Sequence, residues 1–190
     1  MNTDNRKHPV PEVFCQQDSK TPFGQCTLCG CSLARQQYIV EKVIKNYPTL
    51  NTSEVILEYA MCLSCAQNMH MELSEESRRK VAAYLSAHID REGRNKAAQQ
   101  AGNRPGQRIA NCLVKGWQVD QSAGYSIYAL CEGAEIIYGD LPYALCDEAQ
   151  EEIVQLLSAQ SLKLLDDFIG NHFSGPPEIV EILKRRPVLF

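Results

Sequence analysis

The sequence predicts an α+β fold of two tandem units, each a cysteine-bearing turn, a β-hairpin and a helix, followed by a C-terminal helix. Three observations lead there. Two C-x-x-C pairs bracket the segment from Gly24 to Ile89. Runs of β-branched residues alternate with stretches of helical period. A gapless shift of 84 residues lays the second half of the chain on the first. The boundaries that follow are an arm over 1–23, a first unit over 24–89, a linker over 90–108, a second unit over 109–174 and a helix and tail over 175–190.

Pro9, Pro11 and Pro22 discourage regular structure in the opening segment, which reads as a flexible arm. Tyr38–Ile44 and Val55–Ala60 read as strands, with a turn signal in Asn46-Tyr47-Pro48-Thr49 between them. From Cys62 the period changes, and Cys65, Met69 and Leu73 share one helical face. Ser74 can cap a fresh helix with Glu75 and Glu76 in its first turn, and Val81, Ala82, Leu85 and Ile89 mark that helix's apolar side. Residues 90–108 are rich in Gly, Gln, Asn and Arg without apolar periodicity, as a linker would be.

The second unit follows the same order. Tyr125–Leu130 and Glu135–Tyr138 read as strands around a turn at Gly133. Helical spacing then places Ile153, Leu156 and Leu157 together, and Leu162, Leu165, Phe168 and Ile169 after them. Pro177 opens a tail helix over Glu178–Arg186. Under the 84-residue shift Tyr59-Ala60-Met61-Cys62 falls on Tyr143-Ala144-Leu145-Cys146, Leu73-Ser74 on Leu157-Ser158, Ser77 on Ser161 and His88 on His172. Such self-similarity is the mark of a repeat.

Composition narrows the class. The chain has 190 residues, 44% of them hydrophobic, which suits one domain or two small ones with a packed core. Its net charge of −4 is unevenly spread: the first 110 residues carry +3 and the rest −7. That balance is far from the strongly basic surface of a typical nucleic-acid-binding domain. Met1–Lys20 is polar and has no apolar leader core, and no run is long enough to span a bilayer. The expectations are a cytoplasmic protein without membrane association, whose nine cysteines stay reduced.

Reduced cysteines at this spacing point to a metal. Cys26-Thr27-Leu28-Cys29-Gly30 can turn two sulfurs onto one ion, and Gly30 tolerates the backbone such a knuckle needs. Cys62-Leu63-Ser64-Cys65 begins a helix, whose N-terminal partial charge favours thiolate. Four thiolates from Cys26, Cys29, Cys62 and Cys65 make the usual set for one structural Zn2+. A disulfide pairing would need an oxidising compartment, and an iron–sulfur cluster also takes four cysteines. A thioredoxin-like redox pair would need one C-x-x-C beside a βαβ pattern.

The knuckle, hairpin and cysteine-bearing helix over residues 24–89 resemble treble-clef zinc modules. The resemblance implies a zinc held by those four cysteines. It does not imply a function, since such modules bind nucleic acid, bind protein or support catalysis. Cys31 and Cys15 are spare: Cys31 reads as a half-buried thiol that could compete as a ligand, Cys15 as an exposed thiol of the arm. His70, His88 and His172 read as packing or surface residues.

The second unit reads as a degenerate, metal-free copy. Cys146 corresponds to Cys62, and Ala149 stands where Cys65 would be. By spacing, Cys112 matches Cys29, which puts Ile109 in the place of Cys26. Cys112 and Cys146 are then expected as neighbouring buried residues, with Cys131 a less favoured companion. Trp117, Tyr125 and Tyr128 are expected in the second core.

No phosphate-binding loop and no nucleophile–base arrangement is legible. Asp147-Glu148, Glu151-Glu152 and Asp166-Asp167 read as helix-end or surface charge. The expectation is a zinc-stabilised, non-enzymatic interaction or adaptor protein with a protein partner. One alternative is a nucleic-acid-binding or regulatory protein using the basic segment 78–108, which holds Arg78-Arg79-Lys80, Arg91, Arg94, Lys96, Arg104 and Arg108. Another is a thiol-based redox-responsive protein using Cys31 or Cys15.

Overall fold

The structure, a computed structural model, describes residues 8–90, 93 and 104–173. The first seven residues, most of the expected linker and the tail helix at 178–186 lie outside the described residues. The chain is mixed α/β, with six strands in one antiparallel sheet. The strands are β1 (His8–Pro9), β2 (Gln37–Tyr47), β3 (Thr52–Cys62), β4 (Gly124–Glu132), β5 (Glu135–Ile137) and β6 (Tyr143–Cys146). Five helices are described: α1 (Leu63–Glu72), α2 (Glu75–His88), α3 (Pro105–Ile109), α4 (Asp147–Val154) and α5 (Ala159–His172).

The expected hairpin of the first half is present. β2 and β3 pair antiparallel, with Tyr38 opposite Cys62 and Val40 opposite Ala60. The chain turns between them through Pro48–Leu50 and Asn51, which sits at φ +48°. Asparagine is among the few residues that accept that left-handed conformation readily. In the second half the reading is corrected. β4 and β5 do form a hairpin through Gly133, but β4 also pairs with a further four-residue strand, β6, that periodicity did not mark. β6 and β5 share one edge of β4: β6 pairs with Tyr125–Tyr128 and β5 with Leu130–Glu132.

The two halves are joined at the centre of the sheet. β2 pairs with β4 along the whole of β4, from Lys45 opposite Gly124 to Gln37 opposite Glu132. Tyr38 through Ile44 are all buried, because these two strands are central and covered on both faces. Side chains alternate across a strand, so Glu41, Tyr59 and Tyr128 lie side by side on one face. Both phenols donate to the buried Glu41 carboxylate. A carboxylate so deep is tolerable only with such partners. Phe168 of α5 packs edge-on against Tyr59, with ring centroids 5.7 Å apart.

The opposite face explains a second correction. The segment read as a flexible arm is packed from His8 onward. β1 pairs with β5, and Phe14 is fully buried. The buried Lys42 pairs with Glu58 at 3.0 Å, and Glu58 also accepts the Gln17 backbone N–H at 2.8 Å. The prolines do not keep the segment irregular: Pro9 lies in the short edge strand β1 and Pro11 precedes a 3-10 turn, places where the missing N–H is tolerated.

The helices α2 and α5 start side by side. Ser74 caps α2 by accepting the Ser77 N–H, and Ser158 caps α5 by accepting the Ser161 N–H. The caps also exchange bonds. Ser74 N–H donates to Ser161 Oγ at 3.0 Å, and Ser158 N–H to Ser77 Oγ at 2.9 Å. His88 stacks on Tyr84, and His172 on Phe168 at the matching places.

Candidate metal centre

Local backbone chemistry shapes the first knuckle. Gln25 bridges to Ser32, Cys26 N–H donates to Cys31 O, and Gly30 N–H donates to Cys26 O at 2.9 Å. Closing that turn puts Gly30 at φ +69°, a conformation side-chain-bearing residues avoid. Thr27 N–H donates to Ala60 O at 2.8 Å, which fastens the knuckle to β3. Cys62 ends β3 and caps α1, and Cys65 lies in the first turn of that helix.

The result is a single cluster. The four Sγ atoms of Cys26, Cys29, Cys62 and Cys65 all lie within 4.8 Å of one another. Among the described residues no other group of three or more His, Cys, Asp or Glu side chains converges in this way. Cys26 and Cys62 are buried, Cys65 is half-buried and Cys29 faces solvent. Cys26 Sγ accepts the Cys62 backbone N–H at 3.3 Å. Hydrogen bonds from the Cys31 backbone and side chain hold the Cys29 thiol down at about 6, while burial pushes Cys65 well above its ordinary value. Four convergent sulfurs, with amide donors to spread thiolate charge, fit a soft or borderline cation.

The spare residues fall elsewhere. Cys31 lies beside the cluster, and its thiol is pushed up to about 12, first by its hydrogen bond with Cys29. Cys15, expected to be exposed, is only 4% exposed, and burial raises its pKa. His70 is on the surface, away from the cluster. Neither spare thiol has the environment of a reactive cysteine.

No family model, curated protein or solved structure matches this chain. The geometry therefore carries the argument alone.

A second turn has the same hydrogen bonds. Asn111 bridges to Gln118, Cys112 N–H donates to Trp117 O, and Gly116 N–H donates to Cys112 O at 2.8 Å, with Gly116 at φ +77°. Leu113 N–H donates to Ala144 O, as Thr27 N–H does to Ala60 O. Cys112 Sγ accepts the Cys146 backbone N–H at 3.3 Å. These bonds match Cys112 with Cys26, not with Cys29. The place of Cys29 is taken by Lys115, and Ile109 is not an equivalent of Cys26. Spacing alone misled because Cys112 to Cys146 is two residues shorter than Cys26 to Cys62. Gly116, matching Gly30, was the available signal.

The expected proximity of Cys112 and Cys146 is present: both are buried, with Sγ atoms 3.0 Å apart. Lys115 points instead to Glu152, which also accepts from Tyr84 of α2. Cys131 is buried beside Tyr38. Trp117, expected in the core, is 45% exposed, whereas Tyr128 is fully buried.

The basic segment is partly engaged. Arg108 donates to Leu141 O and Gly139 O and lies over the Tyr138 ring. Lys80 pairs with Glu76 one helical turn away. Arg91, Arg94 and Lys96 lie outside the described residues. Among the described residues no helix is long and apolar enough to cross a membrane.

Proposed function

We propose that this protein is a zinc-stabilised interaction module, non-enzymatic, whose first half is a treble-clef-like unit and whose second half is a metal-free copy of it. The observation that carries the reading is the closed four-sulfur set of Cys26, Cys29, Cys62 and Cys65. A tetrahedral site with four protein ligands leaves no position for substrate, as structural zinc sites do and catalytic ones do not. The duplicated turn bonds and the exchanged serine caps support the copy.

The partner in this reading is another protein. The engaged Arg108 and Lys80 weigh against a nucleic-acid surface built on residues 78–108.

The test has two stages. Elemental analysis of the full chain is expected to give one zinc per chain, and none in Cys62→Ser. Affinity capture with wild-type and Cys62→Ser chains is then expected to recover a protein partner that only the zinc-loaded chain retains. Iron in place of zinc overturns the metal assignment. Retention on DNA or RNA that falls steeply with salt moves the function to nucleic acid.

A further inference from the structure

The second turn keeps the sulfur-holding architecture of the first but not its ligand count. Cys112 Sγ accepts the Cys146 N–H at 3.3 Å, as Cys26 Sγ accepts the Cys62 N–H at 3.3 Å. The backbone donors of Lys115 and Val114 also lower the Cys112 thiol. Where the first cluster has Cys29 and Cys65, this one has Lys115 and Ala149. Lys115 is turned away onto Glu152, and Ala149 is fully buried. Two sulfurs are thus left facing each other 3.0 Å apart, with the Cys146 thiol donating to Cys112. Two thiolates cannot close a tetrahedral zinc site.

We propose that Cys112 and Cys146 form a dithiol pair that a hydroperoxide converts to an intramolecular disulfide, a covalent link standing where the first half has its metal. The pair is already close: a disulfide needs the sulfurs at about 2.05 Å, a contraction of roughly 1 Å from their present separation. The link would join the second turn to the start of α4, as an ion bound by the first cluster would join its knuckle to the start of α1.

The chemistry balances with hydrogen peroxide as the two-electron oxidant. The Cys112 thiolate attacks one peroxide oxygen, the O–O bond breaks, and hydroxide leaves as water after taking a proton. Cys112 becomes a sulfenic acid. Cys146 then gives up its thiol proton and attacks the Cys112 sulfur. The S–O bond breaks, the S–S bond forms and a second water leaves. Exposed Glu148, whose carboxylate interacts with the Cys146 thiol, offers a route for that proton to solvent. The electrostatics suit this division of labour. The Cys146 hydrogen bond, ahead of the backbone donors, brings the Cys112 thiol down to about 6 despite its burial. The same bond raises Cys146 far above its ordinary value, leaving it the protonated partner. Cys15, Cys31 and Cys131 are all pushed the other way, toward the unreactive thiol.

The test uses the full, zinc-loaded chain. It is treated with hydrogen peroxide, its remaining thiols are alkylated in denaturant, and it is digested with trypsin without reduction. The expected product joins peptides 109–115 and 116–163, two hydrogens lighter than their sum and separated by dithiothreitol. The same link is expected in Cys131→Ser and is lost in Cys146→Ser. Recovery of Cys112 and Cys146 both alkylated, or of a link that persists in Cys146→Ser, overturns the proposal. Should Cys146→Ser fold poorly by circular dichroism, the wild-type digest cut additionally between the two cysteines of peptide 116–163 identifies the linked sulfur directly. Zinc content read on the same samples keeps the two readings apart. An absent link with zinc retained sinks only this inference, and zinc absent with the link present sinks only the metal assignment.

Discussion

The turns at Cys26 and at Cys112 are built by the same hydrogen bonds, yet one gathers four sulfurs and the other two. The difference lies in two side chains, Cys29 against Lys115 and Cys65 against Ala149. It teaches that the knuckle backbone does not itself require the metal. A glycine at positive φ, a strand carbonyl accepting from the turn, and an amide aimed at the first sulfur are enough to shape it. In the second half these elements are joined by packing: Ala144, Leu145, Cys146, Ala149 and Ile153 are all fully buried. The matching residues Ala60, Met61, Cys62 and Met69 of the first half are nearly as buried, but Cys65 is half-buried and Cys29 exposed, so there the knuckle and α1 would depend on a bound ion for their link.

The largest expected effect follows from that dependence. Cys26→Ser or chelation should remove the bound metal and uncouple the first knuckle from α1, a loss on the order of 10 kcal/mol of metal-binding free energy, with the knuckle's backbone bonds retained. Cys112→Ser should leave one zinc per chain and cost about 1–3 kcal/mol. Metal analysis and denaturant melts of both variants check the pair, and equal effects would break the comparison.

The comparison can also be inverted. Lys115→Cys with Ala149→Cys should raise the zinc content from one to two per chain. Ile109→Cys with Ala149→Cys, the pair suggested by spacing alone, should leave it at one. Elemental analysis of the two double variants decides between the two alignments.

The caps provide a smaller test, because they are symmetric where the knuckles are not. Ser74→Ala and Ser158→Ala should each cost about 1 kcal/mol of stability. The double variant should cost less than their sum, since each removes part of the same exchanged network. Thermal melts of the three variants measure the coupling.

The smallest effect is kinetic. Cys112 has its thiol lowered to about 6, so it is largely thiolate above that pH and protonated below it. Its alkylation by iodoacetamide in the zinc-loaded protein should be nearly flat near neutral pH. As the pH drops below about 6 it should fall about tenfold per unit. A rate still rising between pH 7 and 9 would show an ordinary thiol.

Much of this was written locally. Cys26-x-x-Cys29-Gly30, the β-branched runs of β2 and β3, and Ser74 before Glu75-Glu76 each act within a few residues, so spacing and type revealed them. β6 escaped because four residues are too few to show a period, although Tyr143-Ala144-Leu145-Cys146 repeats the end of β3. Cys15 and Phe14 escaped because nothing local marks an extended segment that docks. Both are buried by packing into the core against residues distant in sequence, where the Gln17 N–H also meets Glu58 41 residues away.

Local sequence was enough to bring Cys26, Cys29, Cys62 and Cys65 together, to shape the first turn and to place the Ser74 cap, since each is set by short-range backbone geometry and side-chain chemistry. The tertiary structure alone set the Cys146 N–H on Cys112, laid the segment from His8 against the sheet and made β2 and β4 neighbours. Those outcomes rest on strand pairing and burial between distant residues, where many partners satisfy the same local preferences and the packed whole selects one.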